Sequence, residues 1–417
     1  MVERTRKFNK QSLETALLLE ITKKITSTLN SAEVLESIVD SLSQLVTYDA
    51  AAIFLVDDKK NTLQHMVTRG YDPEFLDRVP IKIDQGISGH VIRTKKALIT
   101  PDVSKSRYYF PVKEDIKSQI TIPLFSGENV IGVLVLESKE WNHFKQSDLK
   151  RLTTFASLAS IAIDNAKLYE DSLRKKRLES DLLVASKIQK ALLPRRPPCI
   201  PGIQIEALNI PSQIVGGDLY DVFRSNQDKL GVAIGDVSGK GAPAAILMAV
   251  VYAGFKSLLK EIYQVSEVIA RLNNLLEEAT TPGYFATFFF GMIEPQKNKL
   301  YYCNAGHNPP VLLKSNKRVS YLETGGTVLG FLPNQIYTQA AVEFASGDYL
   351  ILYTDGITEI KNREGEEFGE DRLEKLLLKN YGAPPREMRK TILQSIQSFA
   401  GTMDFQDDVT MLIIYKE

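Results

Sequence analysis

The sequence predicts an α+β protein of two domains joined by a long helix, and three observations carry that expectation. Its 417 residues exceed what one hydrophobic core usually serves. Short strand-like runs occur in both halves, with helical spacing of apolar residues beside them. Between the halves a helical pattern runs from about Asp148 to Leu193 with little to break it, until Pro194 and Pro197-Pro198 stop it.

Along the first half, Leu17, Leu18, Ile21, Ile25 and Leu29 recur at helical spacing, and Asn30-Ser31 offers a break and an N-cap. Val34, Leu35, Ile38, Val39, Leu42 and Leu45 then resume the pattern. The runs 50–56 and 62–68 about a turn at Asp57 to Asn61 read as a hairpin, and 118–123 with 130–137 about Ser126-Gly127-Glu128-Asn129 as a second. A helix follows from Gln146-Ser147-Asp148, with Ser147 as its cap. The order predicts an antiparallel sheet with helices on one face. On the connecting helix Leu178, Leu182, Ala185 and Leu192 keep a 3-4 spacing around polar Gln189, which suits pairing with the same helix of a second copy. Beyond the prolines, strand-like runs at 203–208, 219–223, 230–234, 287–293, 299–303, 311–313, 349–353 and 410–415 alternate with helical segments. Pro243 opens one helix, running to about Ile262, and others cover Val265 to Ala279, 370–379 and 385–399. A β-sandwich clad by helices is the compact solution.

Composition narrows the function. Lys plus Arg and Asp plus Glu both number 51, so no overall field gathers nucleic acid or an anionic membrane. The run Arg174-Lys175-Lys176-Arg177 reads as a solvated helix face. Cys199 and Cys303 are too few for a disulfide framework or a thiolate metal site, which fits a reducing cytosol. The N-terminal residues lack the apolar stretch of a signal peptide, and the longest apolar runs fall short of the roughly 20 residues that span a bilayer. A cytoplasmic protein with protein partners is expected.

The chemistry lies in four acidic signatures: Gly216-Gly217-Asp218, Gly235-Asp236-Val237-Ser238-Gly239-Lys240-Gly241, Thr354-Asp355-Gly356 and Asp407-Asp408-Val409-Thr410. Each places a carboxylate where a hydrophobic run gives way to glycine or another acid, so folding could gather them at one edge of a sheet. Two such charges about 4 Å apart repel by roughly 4 kcal/mol at an effective dielectric near 20. A cluster therefore needs cations. The signatures hold one lysine and no histidine or cysteine, which favours a hard, oxygen-preferring ion such as Mg²⁺ or Mn²⁺ over zinc.

Two resemblances add to this reading. Gly86-Ile87-Ser88-Gly89-His90-Val91, with Ser118 to Gly132 and Phe144 to Leu152, resembles a GAF domain. The four signatures, together with Val215, Leu219-Tyr220-Asp221, Asn304-Ala305-Gly306-His307-Asn308-Pro309 and the Ile357-Thr358-Glu359 extension, are similar in order and spacing to the SpoIIE-type branch of the PPM metal-dependent serine/threonine phosphatases. The resemblances imply a GAF sensor over 1–164, a helical linker and dimerising coiled coil over 165–198, and a phosphatase domain over 199–417. They imply two Mn²⁺ or Mg²⁺ ions and a phosphorylated STAS-type anti-sigma-factor antagonist as substrate, while the spacing on the linker helix suggests a homodimer formed through it.

The family pattern makes Asp236 the bridge between both ions, with the Val237 carbonyl on one of them. Asp355 and Asp407 would hold the other, Asp218 would act directly or through water, and Asp408 is the next ligand to test. Lys240 is a candidate for substrate phosphate, against the alternative of a solvated turn. His307 reads as a hydrogen-bonded structural histidine rather than a general acid. The eukaryotic branch carries an arginine just ahead of the first aspartate, whereas Gln213-Ile214-Val215 stands here. No cysteine precedes Cys199, which excludes a thioether-linked bilin, and the GAF ligand is unknown. Signalling is expected to run from the GAF domain through the helix to the segment after Gly241. The competing expectation is a non-catalytic dimeric scaffold, and retention of every candidate metal acid speaks against it.

Overall fold

The computed structural model describes residue 20, residues 23–25 and residues 27–417, apart from positions 58, 72–80, 111–112, 114, 226–228, 261–263, 282 and 403–404. The helical expectation over Leu17, Leu18 and Ile21 lies outside the described residues. Two compact units divide the chain, Met1–Arg177 and Leu178–Glu417.

In the first unit, Asn30 caps the helix Ser31–Leu42 as expected, its side chain accepting from the Ala32 and Glu33 amides. The strands are β1 (Ala50–Asp57), β2 (Thr62–Arg69), β3 (Ile81–Lys82), β4 (Leu98–Thr100), β5 (Ser118–Ser126) and β6 (Asn129–Ser138). They form one antiparallel sheet in the order β3-β2-β1-β6-β5-β4, with both expected hairpins in it. The short strands β3 and β4, too brief to show a period of two, escape a reading of sequence pattern.

Helices cover both faces of this sheet, not one. Ile53, Leu134 and Leu136 pack with Ser31–Leu42 and the first turns of Gln146–Leu192. Ala52, Phe54, Val133 and Val135 pack on the other face with Ile87 and Val91 of the helix Gly86–Thr94. Alternation along β1 and β6 dictates this division, because neighbouring side chains leave opposite faces. The long helix also starts differently from expectation: Asp148, not Ser147, reaches back to the Lys145 amide at 2.9 Å. An acid in the first turn meets the free backbone donors and the positive end of the helix dipole.

Glu137 interrupts the apolar row of Val133 and Val135, and burial pushes its carboxyl up to about 7. The Tyr71 hydroxyl and the charges of Lys113 and Asp115 act on it, and Tyr109 shares its field. A folded-state value above the unfolded one gives stability that is full at low pH and lost as pH rises through about 7. Raising pH from 5 to 8 should therefore cost the unit on the order of 3 kcal/mol, and Glu137→Gln should flatten that slope. Amide exchange along β1 and β6 across that range checks it.

The second unit stacks helices, sheet, sheet and helices. Strands β7 (Ile203–Ile210), β8 (Leu219–Arg224), β9 (Leu230–Val237), β10 (Ala286–Glu294) and β11 (Lys299–Ala305) are followed by β12 (Val311–Leu313), β13 (Val319–Tyr321), β14 (Gly325–Gly326) and β15 (Ala340–Glu343). Strands β16 (Tyr349–Tyr353) and β17 (Val409–Lys416) close the unit. One sheet runs β14-β11-β10-β9-β8, with β15 on β11, and the other runs β13-β12-β16-β17-β7. Val232, Ile234 and Phe289 meet Leu350, Leu352 and Leu412 between the sheets. Helices Ala242–Leu258 and Val265–Ala279 cover the outside of the first sheet, and Gly369–Lys379 and Pro385–Ala400 the outside of the second. Beyond expectation are β13, β14 and β15, short pieces defined by their pairing rather than by their own pattern.

Candidate metal centre and active site

The signatures converge at one end of the sandwich, and both sheets contribute. Asp218 stands just before β8 and Asp236 near the end of β9, and register pairs Leu219 with Gly235. These antiparallel neighbours deliver two carboxylates to one end of the first sheet. In the second sheet Asp355 follows β16 and Asp408 precedes β17, with Tyr353 paired to Met411. The cluster therefore joins two sheet ends rather than lying on one edge.

Glycine makes the approach possible. A Cβ on Gly217 would lie 3.1 Å from the Val237 carbonyl oxygen and 3.2 Å from Asp236 Oδ1, and one on Gly216 would lie 2.3 Å from Asp408 Oδ2. Any side chain there would push into the acids. Thr354 fixes the crossing: its hydroxyl donates to Asp218 Oδ2 at 2.8 Å and accepts from the Thr410 amide at 3.0 Å. Both threonines sit inside recognised signatures, yet only the β16–β17 pairing discloses their role.

Crowding shows in the protonation of the acids. Burial, and then the charges of Asp355, Asp407 and Asp408, push Asp236 up to about 7. Burial and then Asp236 hold Asp218 well above the usual carboxylate range, and burial, Glu359 and Asp407 raise Asp355. These carboxylates favour protons because they are buried and crowded together, and a divalent ion would replace those protons. Their donors are carboxylate oxygens, with the Val237 carbonyl facing the same place, which fits Mg²⁺ or Mn²⁺. Among the described residues no three acidic, histidine or cysteine side chains form a ready coordination set. Asp218 is instead turned to Thr354, and Asp407 to Lys240.

Two candidate residues have partners within the protein. Asp408 spends both oxygens on the backbone: Oδ1 accepts from the Ser212 amide at 2.7 Å and hydroxyl at 2.9 Å, and Oδ2 from the Gly217 amide at 2.6 Å and the Asp218 amide at 3.3 Å. It is a post for the loop bearing Asp218. Lys240, the candidate for substrate phosphate or a solvated turn, lies 2.7 Å from Asp407 and donates to the Gln406 carbonyl at 2.9 Å. Lysine and metal then compete for one carboxylate. Lys240→Met should raise Mn²⁺ affinity roughly fivefold to tenfold, read by calorimetry, since removing a nearby like charge is worth about 1 kcal/mol at a half-exposed site.

His307 is buried, with Nδ1 2.8 Å from the Thr287 hydroxyl and its amide donating to Asn304 Oδ1 at 2.7 Å. Burial pushes its ring down to about 4, so it stays neutral near pH 7. That is the structural histidine the sequence implied. Two contacts were not foreseen. Buried Asp221 pairs with Lys256 at 2.7 Å and ties β8 to the helix Ala242–Leu258. Gln189 of the long helix clamps the glycine turn, donating to the Gly216 carbonyl at 2.6 Å and accepting from its amide at 3.1 Å.

Comparison with known proteins follows the same division. The family described as "Stage II sporulation protein E (SpoIIE)" matches residues 226–416, and "GAF domain" matches residues 28–164. "Phosphoserine phosphatase RsbU" of Bacillus subtilis (strain 168) is 29% identical over 246 residues, covering 58% of this chain and 72% of RsbU. "GAF domain-containing protein A" of Dictyostelium discoideum is 30% identical over 142 residues, covering 34% of this chain and 87% of that protein. The SiaA-PP2C domain of Pseudomonas aeruginosa superposes with a TM-score of 0.53 at 20% identity, covering 58% of this chain and 99% of that domain. Fold and site thus define a metal-dependent protein phosphatase class preceded by a GAF fold. This chain belongs to the GAF-domain proteins, and its second unit matches the SpoIIE family and is RsbU-like.

Proposed function

We propose that the chain hydrolyses phosphoserine or phosphothreonine on a protein partner, using two Mn²⁺ or Mg²⁺ ions held by Asp218, Asp236, Asp355, Asp407 and the Val237 carbonyl. The observation that carries this reading is the gathering of Asp218, Asp236 and Asp355 at one end of the sandwich, where burial holds all three carboxyls above the usual range. Bound divalent ions lower the pKa of water and neutralise phosphoryl oxygens. The residues' part is to hold that place rigid. Thr354 orients Asp218, Asp408 fixes the Gly216-Gly217 turn, and pairing of β9 with β10 holds Asp236 at the end of the first sheet. With no arginine beside Asp218, recognition of the phosphate falls to the ions and to contacts with the partner.

The preferred substrate is a phosphorylated STAS-type anti-sigma-factor antagonist, supported by the likeness to RsbU. Regulation enters through the long helix. Gln189 fastens that helix to the Gly216 backbone, so a shift of the helix would move the Asp218 loop directly. This route replaces the one expected through the segment after Gly241. The expected dimer seam is also redistributed. Leu182 and Leu192 are half-buried, whereas Leu178, Leu183, Val184 and Ile188 are exposed and available to a second copy. The functional domains are taken as GAF over 1–164, linker over 165–198 and phosphatase over 199–417.

The assay is hydrolysis of p-nitrophenyl phosphate and a phosphoserine peptide with Mn²⁺, for wild type and Asp355→Asn. Loss in the variant with retained folding supports the reading, equal turnover in both removes Asp355 from the site, and no turnover in wild type sinks the reading in favour of a scaffold. Gln189→Leu should lower kcat roughly tenfold by loosening the turn that presents Asp218, and should cost the fold about 1 to 2 kcal/mol from two lost backbone hydrogen bonds.

A further inference from the structure

The crossing between the two sheets of the second unit holds a buried histidine to which the proposed chemistry gives no task. Strand β11 ends at Ala305, which register sets opposite Phe288 of β10, next to Thr287. Thr287 is itself the cross-strand neighbour of Asp236. The chain then leaves the first sheet and enters the second at Val311, paired with Ile351 of β16 two residues short of Tyr353. Antiparallel register therefore carries residues 306–310 across the end of the sandwich that bears the acids. His307 lies in that crossing.

The turn is built to fix this ring. Gly306 has φ +67°, and a Cβ there would lie 2.6 Å from Val328 Cγ1. Asn304 is buried and braces the turn, donating to the His307 carbonyl at 2.9 Å and the Leu322 carbonyl at 3.1 Å besides accepting from the His307 amide. The Thr287 hydroxyl stands 2.8 Å from Nδ1 and 3.3 Å from the Asp236 carbonyl oxygen. Nε2 is buried, and no group among the described residues meets it in ordinary hydrogen-bond geometry, yet the Tyr353 main chain acts on the ring as an acceptor. A neutral imidazole donates at one nitrogen and accepts at the other. Thr287 donating to Nδ1, with Nε2–H towards the Tyr353 carbonyl, uses both, whereas the opposite tautomer sets a bare lone pair against that carbonyl.

We propose that His307 is a positioning residue for the metal centre, a strut whose two nitrogens hold the strand of Asp236 and the turn of Asp355 at one separation. Tyr353 stands two residues before Asp355 and directly before Thr354, which orients Asp218. The ring therefore links the first sheet's bridging acid to the segment that places the other two. Two ions about 3.5 to 4 Å apart demand such fixed spacing, and a planar buried ring supplies it. Packing alone would be met by phenylalanine without the cost of burying ring nitrogens. The inference rests on the phosphatase reading and adds to it a residue that acts through Thr287 and Tyr353.

The test uses the full chain, with Mn²⁺ calorimetry, p-nitrophenyl phosphate turnover across Mn²⁺ concentration and pH, and urea unfolding in chelator. His307→Phe and Thr287→Val should each weaken Mn²⁺ binding roughly tenfold, as losses behind a metal's direct ligands do, with kcat at saturating Mn²⁺ and its pH profile close to wild type. Thr287→Ser keeps the hydroxyl and should bind Mn²⁺ like wild type. The double variant should be little worse than either single one, because both break the same link. If His307→Phe does not fold, the two threonine variants carry the test. Lost stability with wild-type Mn²⁺ affinity overturns the strut in favour of packing. A kcat that stays low at saturating Mn²⁺, with a changed pH profile, overturns it in favour of a general acid, and failure of Thr287→Ser to keep affinity overturns it as well. Absence of Mn²⁺ binding by wild type is the separate failure of the phosphatase reading, and it removes the strut too.

Discussion

Asp236→Asn should lower kcat/KM for phosphomonoester hydrolysis by about a thousandfold or more, since losing several kcal/mol of ion and transition-state stabilisation costs that much. The same change should make the metal-free protein more stable. Asp236 is buried beside Asp218 and within the field of Asp355, Asp407 and Asp408, and an amide relieves that repulsion. Opposite signs on activity and stability distinguish a metal-centre acid from a structural one. Steady-state rates with Mn²⁺ and urea unfolding in chelator measure the two effects. Wild-type turnover in the variant, or a loss of stability matching the loss of rate, would refute the assignment of Asp236.

Asp408→Ala should destabilise the second unit by about 3 to 5 kcal/mol, because it leaves the Ser212, Gly217 and Asp218 amides without their acceptor. Activity should fall with it, since those amides hold the turn that presents Asp218. Asp408→Asn separates post from ligand. The amide oxygen keeps part of the network, so Mn²⁺ affinity should drop far less than in Asp407→Asn. Equal losses of affinity in the two asparagine variants would place Asp408 in the coordination shell. Urea midpoints and Mn²⁺ calorimetry across the set supply the comparison.

Much of the fold can be read from pattern. Asn30 before an apolar stripe gives a cap, Pro243 opens a helix, and Val311 to Leu313 and Tyr349 to Tyr353 appear as strands within their expected bounds. The segments that escape are short or pair without a period of their own, such as Gly325–Gly326 and Ala340–Glu343. The site divides in the same way. Glycine beside aspartate marks Asp218, Asp236 and Asp355 locally, because close backbone approach requires it. Whether Asp407 or Asp408 turns inward is not local, and neither are the roles of Thr354, Lys256 or Gln189.

By itself the chain determined its periodicities, its breaks and which oxygen-bearing residues were available to a hard cation. Tertiary structure alone decided that the acids meet between two sheet ends and that Asp408 serves the backbone. The reason is physical: a side chain's identity is fixed covalently, whereas its partners are set by strand register and crossing, which bring together residues up to about 200 positions apart, as with Asp408 and Gly217.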